Sequence, residues 1–385
     1  MRDFTFHNPT RVVFGKGQIA SLAREVPAGA RVLLVAGGGS IRTNGVLEQL
    51  TAALGERLVG EAWGVRPNPD VTDVLATLEK ARAVQADFLL AAGGGSVADA
   101  TKAVAGLART DGDAWTILSR GARFAGALPL GVVMTAPGTG SETNASAAIS
   151  NRATTQKVVF TNALCFPLFA VIDPETTYSL PPTQLANGVV DAFVHVAEQY
   201  LTYPAGAALT DRLSESVLAT LVEQGSRALA QPNDYQARAN LAWASSLALG
   251  GLLGTGVPQD WTTHHVGHEL TALFGIEHAR TLAAVLPAVL RYRRAQKQEK
   301  LVQYGARVFG ATEGSAEERA ERAISKTEDF FQALGVPVRL APYDIRAEDI
   351  PRVIASLKAN RRIRLGERLD LTLDDVTQLL TLALA

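Results

Sequence analysis

Four short runs punctuate the first half of the chain: RVLLVA at 31–36, DFLLAA at 87–92, LGVVMT at 130–135 and LFAVI at 168–172. Each is continuously apolar rather than alternating, which is the pattern of strands covered on both faces of a parallel sheet. Helical patterns at 43–54, 70–85 and 97–108 lie between them. Strand–helix alternation of this kind implies an open α/β sheet with right-handed crossovers. From about Pro182 onward the strand signals fade. Ala/Leu-rich segments with a 3.6-residue period replace them, at 183–201, 205–229, 235–254, 260–273, 279–293, 296–309 and 314–334. Pro181 and Pro182 together stop a helix or strand and stiffen a junction. The expectation is an α/β domain over residues 1–182 followed by an all-helical domain over 183–385.

Composition narrows the function classes. With 47% hydrophobic and 19% charged residues the chain buries a large core and is not disordered. A formal net charge of −1 argues against nucleic acid or an anionic membrane as the main partner. The single cysteine, Cys165, cannot form an internal disulfide, so a reducing, cytoplasmic compartment is expected and the thiol reads as a small buried hydrophobe. The N-terminus MRDFTFHNPTRVVFG lacks a signal-peptide apolar run. The uncharged stretch 239–259 has the length of a membrane span. It also holds Ser245, Ser246, four glycines and Pro258, and is read as a buried core helix followed by a loop.

Three glycine-rich loops follow three of the predicted strands. Gly93-Gly94-Gly95-Ser96 precedes a helical pattern, so the backbone can approach a pyrophosphate while the helix offers free N–H groups and a positive dipole end. Ser96 and Asp99 have capping-box spacing, which also describes a well-capped tight turn. The motif is not G-x-G-x-x-G, so the ordinary dinucleotide fingerprint is absent. Pro137-Gly138-Thr139-Gly140-Ser141-Glu142 presents hydroxyls and N–H groups after the LGVVMT strand. Gly37-Gly38-Gly39-Ser40 ends the first strand without the acidic residue that takes a ribose 2′-hydroxyl in many dinucleotide sites. Glycine N–H groups, Ser40 and Arg42 suit a 2′-phosphate instead, which favours NADP(H) over NAD(H).

Two polar stripes interrupt the apolar helical half. Asn187, Asp191 and His195 are spaced by four, as are Asp260, His264 and His268, with His278 ten residues beyond. Residues four apart share a helix face. A buried carboxylate and several imidazoles need partners, and a divalent cation satisfies them together. Asp191 and His195 form an i, i+4 pair, and the turn at Gly275 could bring His278 toward His264. The resulting nitrogen and oxygen set suits Zn²⁺ or Fe²⁺. Spacing alone leaves the choice among His264, His265, His268 and His278 open. His7 has no such context.

The stretches GGGSVADATK, TAPGTGSETNASAAIS, LPPTQLANGVVDAFVHVAEQY and VPQDWTTHHVGHELTALFGIEHARTLA, in this order, resemble the iron-containing (metal-dependent, group III) alcohol dehydrogenases, especially their NADPH-dependent butanol dehydrogenase and aldehyde reductase branch. That resemblance implies an N-terminal dinucleotide-binding α/β domain and a helical metal-binding domain, with the active site in the cleft between. It implies metal ligation by Asp191, His195, His264 and His278, and places His268 near the substrate as a candidate proton relay. It implies cofactor contacts at Gly94, Gly95 and Ser96, with Thr135, Thr139 and Ser141 nearby, and a lysine approaching the cofactor at Lys157. NAD-preferring relatives carry Asp at the position of Gly38, so Gly38, Gly39 and Ser40 are expected to accommodate NADP(H). The implied substrates are short- to medium-chain aldehydes and primary alcohols, and the implied assembly is a homodimer. Dehydroquinate synthases share the fold, so a metal-dependent lyase or cyclase without net cofactor turnover is the competing reading. Substrate-contacting residues are expected within 144–160, at Phe193 and within 249–253.

Overall fold

The computed structural model describes residues 1–385. It divides into two compact units: one of His7–Pro181 with Pro232–Gly250, the other of Met1–Phe6, Pro182–Gln231 and Gly251–Ala385. The chain therefore does not part at a single point after residue 182. The helix Tyr235–Ala248 belongs to the strand-bearing unit, where Ser246 bonds Glu142 and accepts Thr143 Oγ1 at its carbonyl, 3.0 Å away. Its Ala/Leu-rich pattern resembles that of the C-terminal helices, so periodicity could not show which core it joins. The first residues go the other way, with the Arg2 N–H on the Gly256 carbonyl at 2.9 Å.

In the first unit, strands β1 (Arg11–Phe14), β2 (Val32–Ala36), β3 (Leu58–Ala62), β4 (Phe88–Gly94), β5 (Leu130–Ala136) and β8 (Phe169–Ile172) form one six-stranded sheet in the order β1-β8-β5-β4-β2-β3. Every pairing in it is parallel. All four apolar runs are strands. Leu33, Val35, Leu89 and Ala91 face one apolar layer, while Val32, Leu34, Phe88 and Leu90 face the other, so each run needs apolar residues at every position. The two outer strands escaped the sequence reading because edge strands carry no such run. β1 is only RVVF, and β3 contains Gly60 and Glu61. An antiparallel hairpin of β6 (Ser146–Asn151) and β7 (Gln156–Thr161) was likewise missed. The chain runs from β2 outward to β3 and then back to β4 on the other side of β2. The order of connection across the sheet thus reverses between β2 and β4, and the carboxyl ends of such neighbours are where α/β sheets hold ligands.

The second unit is helical, with major helices at Pro182–Tyr200, Ala208–Ala230, Thr262–Phe274, His278–Tyr292, Arg294–Phe309 and Ala316–Ala333. Ile350–Ala359 and Leu373–Leu384, not anticipated from sequence, close an apolar layer with Val266, Leu270, Val285 and Val289. Phe193, expected near substrate, is fully buried among Tyr304, Phe330 and Phe331, at ring-centroid distances of 6.5, 5.4 and 5.3 Å. It is a core residue, because position 193 lies on the opposite side of its helix from the polar stripe. No helix is long and apolar enough to cross a membrane, and the stretch 239–259 leaves its helix at Ala248.

Candidate metal centre and nucleotide-binding loops

Asp191 and His195 occupy one face of the helix Pro182–Tyr200, and both are buried. His264 comes from the first turn of the helix Thr262–Phe274. One ligand atom from each of the three lies within 4.8 Å of the others. Asp191 Oδ1 is 3.8 Å from His195 Nδ1 and 3.9 Å from His264 Nε2. These separations exceed hydrogen-bond lengths. They are near the ~3.4 Å between two atoms that share a tetrahedral cation through bonds of about 2.0–2.2 Å. A carboxylate oxygen and two imidazole nitrogens, drawn together in a buried place, fit a borderline divalent cation such as Zn²⁺ or Fe²⁺.

The turn at Gly275 performs the step the sequence suggested. It takes the left-handed conformation, φ 71°, ends the preceding helix and lets His278 open the next one. The His278 ring then lies 5.3 Å from that of His264 and 4.7 Å from that of His268. His278 stands outside the tight group of three. His268 is buried one turn beyond His264, with ring centroids 6.1 Å apart. His7 is exposed.

Two further residues brace the segments that carry these ligands, and the sequence reading missed both. Glu198, three residues past His195, lies on the same helix face as the Asn187–Asp191–His195 stripe. Its carboxylate meets His264 Nδ1 and accepts the N–H groups of Thr263 and His264 at 2.6 and 3.2 Å. Burial and the nearby Asp260 carboxylate push the Glu198 carboxyl well above its ordinary range, while the Thr263 and His264 N–H groups and the Thr263 side chain act in the other direction. Glu277, immediately before His278, accepts Asn187 Nδ2 at 3.0 Å, Gln184 Nε2 at 2.9 Å and Arg280 Nε at 2.8 Å. Asn187 thus belongs to the stripe as a brace rather than a ligand. Asp260 is drawn elsewhere: it caps Thr262 at 3.0 Å and pairs with buried Lys297 at 3.0 Å.

In the first unit, Gly94 is the N-cap of the helix Gly95–Leu107, and no side chain caps it. The expected Ser96–Asp99 capping box is therefore absent. Ser96 Oγ instead accepts the Asn68 N–H at 3.2 Å. Asp99 turns inward to accept Ser141 Oγ at 2.6 Å and the Ala148 N–H at 2.9 Å. The open helix terminus faces no competing carboxylate of its own, the condition an anion site needs. There is no room for a side chain: a Cβ on Gly95 would lie 2.2 Å from Thr139 Oγ1, and one on Gly93 2.6 Å from Val97 Cγ2. The loop after β4 is thus packed directly on the loop after β5. Buried Lys102 fastens that second loop, donating to Ser141 Oγ, Asn144 Oδ1 and the Ser146 carbonyl at 2.8, 3.1 and 2.7 Å. Burial pushes the Lys102 ammonium down to about 8 and the adjacent Cys165 thiol up to about 11. The thiol is inert at neutral pH and fully buried, as a small hydrophobe would be.

Thr135 is buried near the end of β5, and Thr139 Oγ1 accepts the Ser141 N–H at 3.2 Å. Lys157, on the hairpin, donates to Asn68 Oδ1 at 2.8 Å, so Asn68 joins it to Ser96. Asn68 has φ 51°, a left-handed conformation that asparagine tolerates better than most residues. After β2, Gly39 has φ 109°, and a Cβ on Gly38 would meet nothing within 4 Å. The Arg42 guanidinium lies 3.8 Å above the centre of the Trp63 ring, and Trp63 Nε1 donates to Glu61 Oε2 at 2.7 Å. The cation is thereby held beside the glycine turn.

The iron-containing alcohol dehydrogenase family model matches residues 9–174, and the model for the C-terminal part of that family matches residues 185–384. The chain is 48% identical over 377 residues to the NADPH-dependent aldehyde reductase YqhD of Escherichia coli, covering 97% of each. It is 37% identical over 389 residues to a probable NADH-dependent butanol dehydrogenase of Bacillus subtilis, covering 100% of each. The crystal structure of Escherichia coli YqhD superposes with a TM-score of 0.97 at 47% identity, covering 99% of both chains. That of NADH-dependent butanol dehydrogenase A from Thermotoga maritima gives 0.95 at 34% identity, covering 100% of this chain and 99% of the other. With both halves matched in order and both of these relatives aligned along nearly their whole length, the chain belongs to the iron-containing alcohol dehydrogenase family.

Proposed function

We propose that this protein is a metal-dependent, NADP(H)-using alcohol dehydrogenase that interconverts short- to medium-chain aldehydes and primary alcohols. The observation that carries the reading is the buried group of Asp191, His195 and His264, with ligand atoms within 4.8 Å of one another. Asp191, His195, His264 and His278 would hold the cation. When bound, the cation supplies Lewis acidity toward a carbonyl oxygen and the reduced nicotinamide supplies a hydride. Gly94, Gly95 and Ser96 would take the pyrophosphate at the uncapped helix terminus, with Thr135, Thr139, Ser141 and Lys157 around it. Gly38, Gly39, Ser40 and Arg42 would take the 2′-phosphate. The relatives compared are named as a reductase and dehydrogenases, and none as a lyase or cyclase.

His268 is buried one helical turn beyond His264, which suits it to hand a proton toward the product oxygen rather than to bind the cation. His268→Ala is expected to retain full metal content and to lose about 10²–10⁴-fold in kcat, the usual worth of a positioned proton donor. Unchanged kcat, or loss of the metal, would remove this role. The edge of β1 not paired with β8, with half-exposed Phe14 packed on half-exposed Trp243 beside it, supports a homodimer, which sedimentation would read as twice the chain mass.

The function is tested by following NADPH oxidation with butanal in chelator-treated protein, with and without restored Zn²⁺ or Fe²⁺, and with NADH in parallel. Metal-dependent oxidation that favours NADPH is expected. Absence of turnover with any aldehyde, in protein that binds both metal and NADPH, would overturn the reading.

A further inference from the structure

We propose that Glu198 is a positioning residue for the metal centre: it fixes the tautomer and orientation of His264, so that Nε2 is the nitrogen offered to the cation. The inference rests on the metal-dependent reading above. Glu198 stands seven residues after Asp191 and three after His195 on one helix, so the three side chains leave the same face. Its Oε2 meets His264 Nδ1. An imidazole nitrogen facing a carboxylate carries the ring proton, which leaves the lone pair on the opposite nitrogen. That opposite nitrogen, Nε2, is the one 3.9 Å from Asp191 Oδ1.

The same carboxylate also holds the backbone from which His264 projects. Thr263 and His264 donate their N–H groups to Oε1 and Oε2, and the Asp260 N–H reaches the Glu198 carbonyl at 2.8 Å. Trp261, the N-cap of the helix Thr262–Phe274, offers no side-chain cap; Asp260 accepts the Thr262 N–H, and Glu198 accepts the next two from another helix. Ring and helix start are thereby referred to one fixed point. A carboxylate suits this because both its oxygens only accept. A carboxamide in its place can accept on one side only, and its NH₂ group then faces either the Thr263 N–H or the His264 ring.

The two duties make the proposal testable. Thr262→Val removes the bond from Thr262 Oγ1 to Asp260 Oδ1, 2.6 Å, and weakens the same helix start without touching the His264 ring. Zn²⁺ affinity is measured by competition with a chromophoric chelator on metal-free full-length protein, together with its melting temperature and the visible spectrum of the Co²⁺-substituted form. Glu198→Gln is expected to weaken Zn²⁺ binding by about 10–100-fold and to shift the Co²⁺ bands. Thr262→Val is expected to stay within about twofold of the parent and to keep its spectrum, on the same scale of second-layer effects. Parent-like affinity and spectrum in Glu198→Gln would overturn the proposal. So would an equal loss in Thr262→Val, because affinity would then follow helix stability alone. If Glu198→Gln does not fold, Glu198→Asp, one methylene short of the ring, is judged by the same two limits. Failure of the parent protein itself to bind Zn²⁺ or Co²⁺ would instead sink the metal-dependent reading, and is distinct from either outcome.

Discussion

His264→Ala is expected to abolish metal binding and lower aldehyde reduction by about 10³-fold or more. Loss of Lewis-acid assistance removes several kcal/mol of transition-state stabilisation, and each ~1.4 kcal/mol is worth a factor of ten in rate. The loss is local. Asp191 and His195 remain on their helix, and Glu198 keeps the Thr263 and His264 N–H groups when the ring is gone. The far-UV spectrum should therefore match that of the parent. His265 provides the comparison, since spacing in the sequence did not separate it from His264. It lies one residue on and projects to another side of the helix. Burial, aided by the Arg362 cation, pushes its imidazole down to about 4. His265→Ala is expected to retain the metal. Metal content by plasma emission and kcat on one preparation of each variant decide the matter. Bound metal and near-normal turnover in His264→Ala would sink the assignment of this residue.

What the sequence could and could not reveal follows from how each feature is encoded. Central strands such as β4 and β5 announce themselves because both faces are buried, so their positions are filled almost wholly by apolar residues. Edge strands β1 and β3, and the hairpin that carries Lys157, have one open side and leave no such trace. The stripe Asn187–Asp191–His195 was legible because polar residues interrupt an apolar helix at a fixed period. Its members proved to have different duties: Asp191 and His195 join the metal group, whereas Asn187 steadies Glu277. Glu198 extends the stripe but falls near the helix end, where an acidic residue attracts no notice. Asp260 misled in the opposite sense, because its partner Lys297 lies far along the chain and no local pattern announces it. The Ser96–Asp99 spacing failed for the same reason. Asp99 is taken by Ser141 and Ala148, long-range partners that a local capping rule cannot see. Periodicity reports which face a residue occupies, and only the tertiary neighbours determine what that face meets.

Gly38→Asp is expected to reverse the cofactor preference. Relatives compared with this chain are named as NADPH-dependent in one case and NADH-dependent in others, so the choice is made by particular residues rather than by the fold. Gly38 is exposed just beyond the carboxyl end of β2, beside which the strand order reverses, and a Cβ there meets nothing within 4 Å. Its φ lies outside the left-handed region, unlike that of Gly39, so a side chain is accepted without backbone strain. An aspartate in this place puts a carboxylate beside the proposed 2′-phosphate position, and like charges brought together at a binding surface cost several kcal/mol. At ~1.4 kcal/mol per factor of ten, kcat/KM for NADPH should fall by about 100-fold. The same carboxylate accepts a ribose 2′-hydroxyl, and a hydrogen bond to a charged group is worth about 1.5–3 kcal/mol, so NADH should improve by about tenfold. Arg42→Ala separates the two effects. It removes the cation stacked on Trp63, and so should weaken NADPH alone and leave NADH unchanged. Melting temperatures of both variants should stay near the parent value, because both positions are exposed. If Gly38→Asp keeps the parent ratio of NADPH to NADH in kcat/KM, the turn after β2 does not read the 2′ position, and cofactor selection has to be sought at the loops after β4 and β5.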